Sequence, residues 1–71
     1  MHSYAEEIEW LKQKVSKNPA SMLYARLAER YLQIHEIERA VEFAEKCVVL
    51  HPSYSTGRYV LAKCFFQRKQ Y

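Results

Sequence analysis

The sequence predicts an all-α chain of about four helices, laid out as antiparallel pairs that stack on one another. Three observations carry this. Apolar residues recur at steps of three and four in four separate segments. In 71 residues there are one Gly, two Pro, one Asn and no Asp, too little turn-forming material for hairpins. The chain also resembles itself at a shift of about 34 residues, the span of one helix pair.

The first helix is predicted over about Ser3 to Lys17, with Tyr4, Ile8, Leu11 and Val15 forming one stripe. Ser3 and Glu6 fit a capping box, and Glu6, Glu7 and Glu9 precede Lys12, Lys14 and Lys17, the order a helix dipole favours. Asn18-Pro19 then punctuates the chain, because a residue before proline avoids helical geometry and proline suits a first turn. The second helix is expected from Pro19 or Ser21 to Gln33, with Leu23, Leu27, Ala28, Tyr31 and Leu32 apolar. A third runs from about Glu36 to Leu50 on Ile37, Ala40, Val41, Ala44, Cys47 and Val48, and ends at His51-Pro52. The fourth covers about Ser53 to Gln70, with Tyr54, Leu61, Ala62, Phe65 and Phe66 apolar; Gly57 is its weak point, worth about 1 kcal/mol against helix.

The self-similarity pairs these elements. At an offset of 34, Leu27-Ala28 meets Leu61-Ala62, Tyr31 meets Phe65, Leu32 meets Phe66 and Ile37 meets Tyr71. At 33, Ile8 meets Val41, Trp10 meets Phe43, Val15 meets Val48 and Pro19 meets Pro52. Helices 1 and 3 are versions of one element, helices 2 and 4 of another.

Tyr24-x-x-Leu27-Ala28-x-x-Tyr31, followed by Ala40, Ala44 and Pro52, resembles the tetratricopeptide repeat, whose pattern places small residues where paired helices approach and aromatics beside them. Ala44 departs from the pattern, being small where an aromatic is usual with Phe43 one place earlier, and His35 stands where the turn usually has Gly. The resemblance implies a right-handed solenoid in which residues 1–18 are the second helix of one repeat, 19–54 a complete repeat and 55–71 the first helix of another.

It also implies a protein-binding scaffold, not an enzyme and without a cofactor, whose groove is lined by helices 2 and 4. The expected groove residues are Met22, Ala25, Arg26, Glu29 and Gln33, with Thr56, Tyr59, Val60, Lys63 and Gln67 as counterparts on helix 4. Helix 2 carries a net charge of +1 and helix 4 of +4, against −2 for helix 3 and 0 for helix 1. A cleft of one sign concentrates ligands of the other, so an acidic peptide is the expected partner. The family subtype that grips a carboxylate with paired Asn is not expected, since Asn18, the only Asn, falls outside the groove helices.

Other chemistry has less to stand on. Cys47 and His51 lie one turn apart with Cys64 nearby, but structural zinc takes four ligands, usually with paired Cys-x-x-Cys elements, so no metal site is expected. Cys47 on the apolar stripe reads as a small core residue and not as an activated thiolate. The sequence pI of about 9.0 and six tyrosines keep a nucleic-acid-binding helical module as the alternative, although the aromatics fall at core spacings. A closed, self-associating bundle is the other. No signal peptide is legible, and no apolar run approaches the ~20 residues of a membrane span, so a cytoplasmic setting is the default. Finally, repeats contact only their neighbours. The stripe of Leu61, Phe65 and Phe66, and Trp10, Leu11 or Ile8 at the other end, are expected to be left partly bare and to drive self-association.

Overall fold

A computed structural model describes residues 3–69. It contains four helices: α1 (Tyr4–Lys17), α2 (Leu23–Gln33), α3 (Ile37–Leu50) and α4 (Ser55–Lys69), with no strand among the described residues. None of these helices is long and apolar enough to cross a membrane. The expected end of the fourth helix at Gln70, and the Ile37–Tyr71 correspondence, lie outside the described residues.

Local chemistry sets the boundaries. Ser3 caps α1, its hydroxyl accepting the Glu6 N–H at 3.2 Å, and the Asn18 N–H closes the other end on the Lys14 carbonyl at 3.1 Å. Helix α2 begins at Leu23, later than Pro19 or Ser21, because residues 19–22 are used in a turn. The Ser21 N–H donates to the Asn18 carbonyl at 2.9 Å, and the Ser21 hydroxyl accepts the Leu23 N–H at 3.0 Å. At the other end of α2, the Glu36 N–H reaches the Tyr31 carbonyl at 2.9 Å and the His35 N–H reaches that of Leu32 at 3.1 Å. This is a Schellman closure, and it holds His35 at φ 65°, the left-handed position that glycine usually fills.

Each helix packs on its successor, α2 also touches α4, and α1 and α4 flank α2 without meeting. The described chain is a slab of 33 × 32 × 17 Å, not a closed ring of four helices. Its core takes Ile8, Leu11 and Val15 from α1, six residues of α2 from Tyr24 to Leu32, Ala40, Val41, Ala44 and Cys47 from α3, and Val60 and Cys64 from α4. Phe43 stacks against Tyr24 at 6.0 Å and Tyr31 at 5.5 Å, so it supplies the aromatic that Ala44 lacks.

Two apolar expectations are corrected. Tyr4 is half exposed and lies beneath the Arg30 guanidinium instead of entering the core. Ile8 and Leu11 are buried, because α1 turns them onto α2. On α4 the stripe of Leu61, Phe65 and Phe66 is left partly bare, as expected, and the buried face is Gly57, Val60 and Cys64, spaced by three and four. Gly57 is therefore no mere weak point. A Cβ there would stand 2.9 Å from the Cys47 sulfur, so glycine is what lets α4 approach α3.

Candidate functional site

Helices α2 and α4 lie side by side and present equivalent faces to one concave space of about 830 Å³. Ala25, Arg26 and Glu29 line it from α2, Met22 from the residue that precedes this helix, and Thr56 and Val60 from α4, so six of the ten expected groove residues are brought together. Ala25 and Val60 are almost fully buried and form its floor, where the two helices touch. The other four lie off this concavity. Gln33 accepts a hydrogen bond from Arg30 at 2.9 Å, Lys63 reaches across to Glu29 at 3.1 Å, Tyr59 is exposed under the Lys63 ammonium, and Gln67 is half-buried further along α4.

The sequence reading missed one end of the concavity, built by Asn18, Ala20 and Ser21 of the first turn with His51 and Tyr54 of the second. The Nε2 of His51 donates to the Ala20 carbonyl and ties the two turns together. Asn18 thus belongs to the lining, a correction to its expected place outside the groove. The signal was present in the alignment of Pro19 with Pro52, which sets both turns at the same edge.

Electrostatics correct the expectation of a strongly basic groove. Glu7 reaches in from α1, pairing with Arg26 at 3.2 Å and with the Nε of Arg30. Arg30 also approaches Glu29 at 3.5 Å, and Glu29 holds Lys63. The Arg30 hydrogen bond holds the Glu7 carboxyl below its ordinary value of 4.5, assisted by Arg26 and opposed by burial. Two cations, Arg26 and Arg30, and one carboxylate, Glu29, therefore line the concavity, with Glu7 and Lys63 paired to them from outside its lining. Arg68 spends its charge on Glu38 of α3, 3.1 Å away, so the surplus on α4 is divided between two faces.

Cys47 and Cys64 are free, buried thiols, and burial pushes the pKa of both upward, which keeps them protonated and unreactive at neutral pH. They are core residues of α3 and α4.

A second surface lies away from the groove. Trp10 on α1 is 51% exposed, and on α4 Phe65 is 42% and Phe66 64% exposed beside half-buried Leu61. Cations lie over two of these rings, Lys14 on Trp10 at 5.3 Å and Arg68 on Phe65 at 5.4 Å. No protein-family model, no curated protein and no solved structure matches the chain.

Proposed function

We propose that the chain is a tetratricopeptide-type unit, a piece of right-handed solenoid that does no chemistry of its own and holds an extended, acidic segment of another protein between α2 and α4. The observation that carries this reading is the concavity itself. Met22 and Thr56, and likewise Arg26 and Val60, stand 34 residues apart and line one space, so a single helical face is offered twice in register. Repetition of that kind suits an extended ligand, whose side chains also recur along one direction. The Glu7–Arg26–Arg30 and Glu29–Lys63 groups give it polar anchors with a small positive surplus. An acidic residue of the ligand would share Arg26, the most exposed of these cations, with Glu7.

Fluorescence anisotropy with a labelled octapeptide of alternating Glu and Leu tests this, beside the same peptide with Gln for Glu and a labelled oligothymidylate. The Glu peptide is expected to bind best and to weaken with added salt, and Arg26→Glu is expected to cost about 1 kcal/mol, roughly five-fold in affinity. Equal binding of the Gln peptide would contradict the electrostatic part of the proposal. Preferential binding of the oligonucleotide would move the chain to the nucleic-acid-binding class.

A further inference from the structure

The chain makes one aromatic joint internally and carries the two halves of a second. In the internal joint, Phe43 of α3 is inserted between Tyr24 and Tyr31 of α2, nearly parallel to Tyr31 at an interplanar angle of 2°. The repeat assigns each participant a counterpart. Phe43 corresponds to Trp10 on α1, 33 residues earlier, while Tyr24 and Tyr31 correspond to Arg58 and Phe65 on α4, 34 residues later. Ala28 and Leu32, buried under α3, likewise correspond to Ala62 and Phe66, which are exposed. So α4 bears a copy of the face that α2 gives to α3, and α1 bears a copy of the ring that α3 inserts there.

We infer that these halves belong together: α1 of one copy docks on α4 of the next, with Trp10 inserted between Arg58 and Phe65. The inference rests on the repeat reading and adds to it a second copy of this chain as the occupant.

Charge favours this occupant over a two-fold pairing of α4 with itself. Laid antiparallel on its own copy, α4 would bring Arg58 near the other copy's Lys69, and no acid lies on α4 to relieve them. A second copy's α1 supplies one. Glu42 and Tyr24 line the same hollow between α3 and α2, and their counterparts at the joint are Glu9 and Arg58, an opposite pair. Where Lys46 lies over the Tyr24 ring, at 5.4 Å, α1 has the uncharged Gln13, while Lys12, the counterpart of Glu45 in the same hollow, lies 3.7 Å from Glu9 and must share that carboxylate with Arg58. A guanidinium is planar and stacks well on indole, which makes Arg58 a workable substitute for a tyrosine ring. Lys14 must swing off Trp10 to admit α4, so this joint is weaker than the internal one. The two faces differ and lie on helices that do not touch each other. The contact is therefore heterologous, and association continues from copy to copy instead of stopping at a dimer.

Two variants separate the possibilities. Trp10→Lys removes the ring and keeps α4, whereas Phe65→Glu spoils α4 and keeps the ring; both positions are exposed, so both variants should retain the helical circular dichroism of the parent. By light scattering the parent is expected to gain mass steadily with concentration, each variant alone to stay at the 8.5 kDa of one chain, and an equimolar mixture of the two to double that mass. A charge exchange gives an independent reading. Arg58→Glu should stop growth, and adding Glu9→Arg to it should restore growth. Three results would overturn the proposal: a parent that is monomeric at every concentration, a Trp10→Lys variant that still dimerises through α4, or a mixture that stays at one chain mass. None of these touches the groove, which the peptide titration judges separately.

Discussion

At the scale of single residues, two positions carry more of the fold than their side chains suggest. His35 sits at φ 65° in the turn that reverses the chain between α2 and α3, where an L side chain is strained. Replacing it with Gly is expected to raise stability by about 0.5–1 kcal/mol, a gain of a few degrees in Tm readable by thermal circular dichroism. Gly57 is the reverse case. Alanine is favoured over glycine within a helix by about 1 kcal/mol, yet a Cβ at Gly57 would press on the Cys47 sulfur at 2.9 Å. Gly57→Ala is therefore expected to destabilise by about 1 kcal/mol through overpacking, and to become stabilising in a Cys47→Ala background. A double-mutant cycle in urea measures this, and an unchanged effect of Gly57→Ala in the two backgrounds would refute the close approach. The sequence showed His35 in the turn and Gly57 in the helix, but not the contact. Steps of three and four report which residues share a face, not how near the opposing backbone comes.

At the scale of helices, α1 is joined to α2 by the Glu7 pairs as well as by Ile8, Leu11 and Val15. Because Glu7 has its pKa lowered on folding, its stabilising contribution is present above the ordinary value of 4.5 and is lost as pH falls through the folded value. The stability difference between the parent and Glu7→Gln is thus expected to be largest near neutral pH and to shrink on acidification below about pH 4.5. A difference that stayed constant with pH would mean that Glu7 acts by packing alone. Helix α4 shows what periodicity conveys and where it stops. The spacing of Leu61, Ala62, Phe65 and Phe66 marks them as its apolar face, and they do form one. Burial instead follows Gly57, Val60 and Cys64, since the neighbours of α4 lie on that side. Three of these types (Gly, Val, Cys) are small, so they made a faint stripe in the sequence beside two phenylalanines. The groove was legible to the same degree. Arg26, Glu29, Met22 and Thr56 followed from the repeat, while Asn18 and His51 did not, because turn residues reach the space only through the stacking of two turns.

At the scale of the whole molecule, the groove and the proposed joint both depend on one property: the helices form an open row in which α1 and α4 flank α2. Four helices of this length closed into a bundle would bury Phe65, Phe66 and Trp10 together and leave neither a groove between α2 and α4 nor a free ring to insert. The most direct test is a set of nuclear Overhauser contacts, recorded on the Trp10→Lys variant so that the chain is a monomer. The account predicts cross-peaks from the Phe43 ring to Tyr24 and Tyr31 and from Ala25 to Val60, with none from Ile8, Leu11 or Val15 of α1 to Val60, Leu61 or Phe65 of α4. Cross-peaks between α1 and α4 would close the bundle and contradict the account.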